Sequence, residues 1–167
     1  MSVDEVPPLD PVSLAALERT RSAVLNVLVV AGMAIAAGGL LLRWRDQWGV
    51  DRIYDPVGVW LTRALVGLMV ASVLIRRFVC GRDSLRDPAR RLARFYRGHV
   101  VSALLGASAV LLGVAEGWFV RPRLEAVAPF WVAGLALGAL SFPRASVLQG
   151  FDAPPTVLAD VTPGPPK

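Results

Sequence analysis

The sequence predicts an all-α polytopic membrane protein: four transmembrane helices in an antiparallel bundle, with a short basic amphipathic helix at the cytoplasmic face. Three observations carry that expectation. Hydrophobic residues make up 54% of the chain and charged ones 19%, against about 25% charged in an average soluble domain. The apolar residues lie in long blocks, not in the stripes of a soluble amphipathic helix. The basic residues crowd into one loop, the pattern that orients a membrane protein.

Residues 1–22 read as a cytoplasmic tail, mostly disordered, with Pro7, Pro8 and Pro11 near its start. The first span follows at 23–42, where Asn26 is the only strongly polar residue and a candidate for a hydrogen bond between helices. Arg19 and Arg21 ahead of this run, and Ala34-Ile35-Ala36 within it, resemble a cleavable leader. The run continues through Leu40-Leu41-Leu42, which favours an uncleaved span. The second span covers 57–75, interrupted by Arg63, and the third 100–120, with Glu116 near its end. The fourth, 124–142, is marginal, because Glu125 and Pro129 occupy its first turns. A helix needs about 20 residues to cross a core of roughly 30 Å, although a short one can thin the bilayer locally. None of the blocks alternates apolar and polar residues as barrel strands do. Residues 23–142 thus form one transmembrane domain, and 143–167, with six prolines, read as a second disordered tail.

Orientation comes from the basic loop, residues 76–99. Its segment 76–97 holds eight arginines and two aspartates, a net of +6 in a chain whose total is +5. Short loops rich in Arg and Lys stay in the cytoplasm, so both termini are expected there too. Trp44, Trp48, Trp60, Trp118 and Trp131 all fall near the opposite ends of their spans, where Trp favours the membrane–water boundary. Phe78, Phe95, Tyr96 and Phe142 take the matching place at the inner face.

Within that loop, Asp87-Pro88 is a helix-start signal: Asp as N-cap, Pro at the first helical position. Ala89, Leu92, Ala93 and Tyr96 then follow helical spacing on one side, with Arg90, Arg91, Arg94 and Arg97 on the other. A basic helix of this kind, about ten residues long, can lie on an anionic leaflet and run into the third span, each basic residue contributing about 1 kcal/mol. Arg76, Arg77, Arg90, Arg91, Arg94 and Arg97 are therefore the candidate contacts to anionic lipid. The plainer reading is a topology signal alone. The loop carries no nucleic-acid-binding motif, and no such partner is expected.

Ionisable groups at depth are costly and often functional. Arg63 lies about six residues, roughly 9 Å, inside the outer start of its span; Glu116 lies about four residues, roughly 6 Å, inside the outer end of its own. At comparable depths they are candidates for an intramembrane ion pair lining an outward pocket, unless each extends to the interface instead. His99, the sole histidine, reads as the interfacial start of the third span. Cys80, the sole cysteine, excludes an intrachain disulfide. Small residues at four-residue spacing predict close helix contacts: Gly113 with Gly117, Gly134 with Gly138, Gly67 with Ala71.

The chain has no Walker A loop, HExxH, CxxC or GxSxG. No catalytic residue, cofactor or metal site is expected, and the chain reads as non-enzymatic. The use of 17 Arg against one Lys, with abundant Ala and Gly, looks like that of a GC-rich bacterial genome; the outline resembles many small bacterial four-span proteins, and no motif singles out a family. The expected role is an accessory or assembly subunit of the inner membrane. It would act through helix–helix and lipid contacts, as a homo-oligomer or beside a membrane-complex partner. The alternative is a small oligomeric transporter or channel using Arg63 and Glu116.

Overall fold

The computed structural model describes residues 9–46, 55–79 and 88–149, and all regular secondary structure among them is helical. Four helices follow the four apolar blocks: α1 Pro11–Asp46, α2 Asp55–Val79, α3 Pro88–Phe119 and α4 Leu124–Leu140. A single turn, α5 Ser146–Gln149, comes after them. The first three are long and apolar enough to cross a membrane. The fourth has 17 residues, about 26 Å at 1.5 Å each. Trp48, Cys80 and Asp87 lie outside the described residues.

The end expected to face the cytoplasm, the inner end, has three features of note. Residues 11–22, expected to be disordered, are helical and continuous with the first span. The cause is local and tertiary together. Both carboxylate oxygens of Asp10 accept the Ser13 N–H at 3.3 Å, and Pro11 takes the first helical position. Leu17 then closes on Phe95 and Leu148. Secondly, the basic segment runs into the third span, as its sequence allowed: Pro88–Phe119 is one helix of 32 residues. Its packed stripe is Leu92 and Phe95, while Ala93 is exposed and Tyr96 half-buried under the Arg19 guanidinium, 5.5 Å from the ring centroid. Phe95, expected at the interface, is fully buried because the extensions of α1 and α3 run side by side and need a core of their own. Thirdly, the chain after α4 turns back: Pro143 and Leu148, within the expected tail, are buried.

The contacts fix the relative directions. Leu17 meets Phe95, Gly38 meets Val114 and Leu42 meets Gly117, so α1 runs parallel to α3. Gly58 faces Glu116 and Ser72 faces Ser102, so α2 is antiparallel to it. Gly106 faces Gly134, and Gly117 faces Val127, which makes α3 and α4 an antiparallel hairpin. That hairpin holds the other two helices; α1 and α2 scarcely touch each other among the described residues.

Small residues decide the spacing of the hairpin. A Cβ on Gly106 would stand 2.7 Å from the Gly134 carbonyl oxygen, and one on Gly134 would stand 2.6 Å from the Gly106 carbonyl oxygen. The two backbones are therefore in direct contact, which only glycine permits. Gly113 and Gly38 do something different. They open a hollow filled by Trp131, whose ring would lie 2.7 and 3.2 Å from their Cβ atoms. Trp131, expected at the outer interface, is thus a core residue, only 8% exposed. Trp44, Trp60 and Trp118 do face outward. Asn26 is exposed too, and among the described residues it makes no hydrogen bond between helices.

Candidate functional site

Two polar places interrupt the apolar packing, one at each end. The one at the end expected to face outward, the outer one, lies where α2 begins and α3 ends. Gly58, Val59, Thr62 and Arg63 line it from α2; Glu116, Val120 and Arg121 line it from the end of α3, around a cavity of about 420 Å³. Gly58 packs beside the carboxylate: a Cβ there would lie 3.5 and 3.7 Å from the two Glu116 oxygens, ordinary contact, and 3.2 Å from Val120 Cγ1. Glu116 is 7% exposed, and its Oε2 is buried without a hydrogen-bond partner. Its backbone carbonyl accepts the N–H of Val120 at 2.9 Å and of Arg121 at 3.0 Å, which closes α3. Arg63 is exposed, and its guanidinium stands 5.1 Å from the centroid of the Trp60 ring, within cation–π range.

The fold therefore brings Arg63 and Glu116 to one cavity, as their depths suggest. Among the described residues they form no ion pair, because Arg63 turns to Trp60 on its own helix. A carboxylate and a guanidinium facing one outward cavity can attract either sign of ion or a zwitterion.

The inner place was not legible in advance. Ser72 of α2, Ser102 of α3 and Ser141 at the end of α4 are all buried. Ser72 Oγ lies 2.7 Å from Ser102 Oγ, Ser102 Oγ lies 2.8 Å from Ser141 Oγ, and Ser141 Oγ lies 2.6 Å from the Leu137 carbonyl oxygen. Each hydroxyl has one proton and two lone pairs; Ser141 is the donor toward both Ser102 and the Leu137 carbonyl and shares its one proton between them, while either Ser72 or Ser102 donates in their own bond. The network ties three helices at one level. His99 joins it from α3: its Nδ1 is 2.7 Å from the Ser141 carbonyl oxygen. A carbonyl only accepts, so Nδ1 carries the hydrogen. This bond satisfies a carbonyl that the end of α4 leaves open, at the negative end of the helix dipole. The imidazole is also packed on Phe95, ring centroids 4.6 Å apart. His99 is thus only 6% exposed, a buried strut and not an interfacial marker. A lone His and three scattered Ser carry no signal in sequence, because their meeting depends on the register of three helices.

Beside His99 is a second cavity, of about 370 Å³, lined by Val73, Arg76, Arg77, His99 and Val147. Of the expected lipid contacts, Arg76 and Arg77 occupy the last turn of α2, and Arg90, Arg91, Arg94 and Arg97 the first turns of α3. All six are at the same end of the bundle. Arg77, Arg90 and Arg97 are exposed, and Arg76, Arg91 and Arg94 half-buried.

No protein-family model matches this chain, and no curated protein or solved structure matches it either.

Proposed function

We propose that this chain is a four-span integral protein of a bacterial plasma membrane, with both termini cytoplasmic, and that it serves as a non-enzymatic accessory or assembly subunit through helix–helix and lipid contacts. One observation carries the reading: the outward face of α2. Of its described residues only Leu65 and Ser72 are buried. Val59, Trp60, Val66, Met69, Val70, Val73, Leu74 and Phe78 are exposed along its whole length. Soluble proteins rarely expose apolar patches beyond a few hundred Å². A bilayer solvates such a face, and another helix can also pack on it. Gly67 lies on that face with nothing within 4 Å of its Cβ position, which leaves room for a close helix approach. The arginines at the inner end favour the cytoplasmic side.

Resistance to alkaline extraction from membranes, followed by co-purification in mild detergent, tests the proposal. The expected result is an extraction-resistant protein that brings a second copy or a partner with it. Gly67→Ile should weaken that association and leave the thermal unfolding of the isolated chain in place. A strictly monomeric protein with no companion overturns the subunit reading.

A second reading, a small oligomeric transporter or channel, draws on the outer cavity, where Glu116 is buried beside the exposed Arg63. Ionisable groups in that position are characteristic of substrate or ion paths. Flux assays in liposomes test it. If Arg63→Leu with Glu116→Leu leaves both folding and every measured flux untouched, that reading is lost.

A further inference from the structure

We infer that the inner cavity beside His99 is a built site for a phosphate group, occupied by the headgroup of an anionic phospholipid. The inference rests on the membrane orientation proposed above and adds a specific site to it. Its starting point is an atom with nothing to do. His99 Nδ1–H is spent on the Ser141 carbonyl, which fixes the ring. Nε2, at the opposite corner of that ring, is buried and has no partner. A buried unpaired nitrogen is costly, and capping α4 does not account for it, since Nδ1 alone does that. The same side chain lines a cavity whose other polar walls are Arg76 and Arg77.

The chemistry of these three side chains converges on one ligand class. A guanidinium has only donors and favours phosphate oxygens, often two at a time. Imidazole can gain a proton at Nε2 and become a third donor when an anion arrives. Among the described residues no carboxylate lines this cavity to compete for the arginines or to suit a cation. The remaining walls, Val73 and Val147, are apolar, and Val73 continues a lipid-facing row with Val66 and Val70 at helical spacing. A phosphate at the arginines, with acyl chains along that row, matches the polarity of each part. A free phosphate ion would use the donors and leave the apolar row idle.

The test uses the full chain in nanodiscs and its single histidine, which gives one imidazole signal in ¹⁵N NMR. Three lipid settings are compared: phosphatidylcholine alone, phosphatidylcholine with phosphatidylglycerol, and phosphatidylcholine with inorganic phosphate added. Native mass spectrometry reads which lipid stays bound. The expected result is at least tenfold preferential retention of phosphatidylglycerol, with a shift of the Nε2 resonance in that setting. Arg76→Gln with Arg77→Gln should abolish both. His99→Asn keeps an N–H donor for Ser141 and removes Nε2; it should lower retention several-fold with the fold intact. Arg90→Gln with Arg97→Gln should leave retention in place, because those arginines do not line the cavity. Equal retention by wild type, His99→Asn and the Arg76/Arg77 variant would mean charge attraction at the surface only, and would overturn the site. A shift with inorganic phosphate as large as that with phosphatidylglycerol would overturn the lipid source. Failure to insert into the bilayer at all would instead sink the membrane reading, so the two failures are distinct.

Discussion

Replacing Gly134 with alanine adds one methyl group where α3 and α4 touch. In an exposed helix interior that change favours the helix by about 1 kcal/mol, because alanine is the better helix former. At Gly134 the new carbon would stand 2.6 Å from the Gly106 carbonyl oxygen, 2.7 Å from Val110 Cγ2 and 3.1 Å from Val110 N. Val110 Cγ2 belongs to a side chain, but two of the three neighbours are backbone. Ordinary contact starts near 3.4 Å, so the helices must part by roughly 0.8 Å to admit the methyl. Overpacking of this kind costs about 1–3 kcal/mol, and the parting also loosens the Gly106 contact. The propensity gain is smaller than the packing loss, so Gly134→Ala should destabilise by about 1–2 kcal/mol. Gly67→Ala supplies the control. Nothing lies within 4 Å of its Cβ position, so only the propensity gain remains and the change should be neutral or stabilising. Both variants are compared by thermal unfolding in one detergent, followed by helical circular dichroism. Opposite signs support a hairpin in backbone contact at Gly106 and Gly134. If Gly134→Ala proved as stable as Gly67→Ala, the packing described for α3 and α4 would be wrong.

Other outcomes follow from the same geometry. Trp131→Ala empties the hollow between Gly38 and Gly113 and should cost about 3–5 kcal/mol in the same unfolding assay, whereas Trp131→Phe should cost much less, since the indole Nε1 is buried without a partner. Phe95→Ala removes the centre of the small inner core with Leu17 and Leu148; it should cost about 3 kcal/mol and release α5, seen as faster proteolysis near Leu148 while the spans stay folded. The Asp10 carboxyl is held below the ordinary aspartate value of 3.8 by the Ser13 hydroxyl and the Ser13 backbone N–H. Its cap should therefore be complete at and above that value and fade as pH falls through the lower folded value. NMR titration of the Asp10 carboxyl in the folded chain should find a midpoint below 3.8, and a midpoint at or above it would count against the cap.

The apolar blocks located the helices well, because hydrocarbon demands length and apolarity from each span regardless of its neighbours. The short turn between α3 and α4 and the start of α3 at Pro88 were equally local, and equally readable. The start of α1 carries the same Asp-Pro signal, at Asp10 and Pro11, but nearby Pro7 and Pro8 suggested a loose tail. What decides the matter is Leu17 on Phe95, a contact between residues far apart in sequence. Trp131 shows the limit more sharply. Its place near a span end argued for the interface, and its burial depends on Gly38 and Gly113 meeting across three helices. Arg63 and Glu116 were readable as individuals and met at one cavity. Whether they pair stays open in the sequence, between an ion pair and separate extension to the interface; the ring of Trp60 as Arg63's neighbour, a matter of rotamers, was not readable. Gly67 and Ala71 have the spacing of a contact, yet Gly67 faces outward in this chain.

The way α1 and α2 hang on the α3–α4 hairpin bears on the order of synthesis. A ribosome delivers α1 and α2 first, and those two helices have almost no surface in common. In the membrane setting proposed above, each then rests alone until α3 arrives, oriented by its flanking charges and solvated by lipid. Tertiary structure is then acquired late and nearly all at once, when the second half of the chain supplies the seam for both. A chain cut after Val79 would thus leave two correctly inserted but unassociated helices, long-lived targets for membrane proteases or for any neighbour able to cover their open faces.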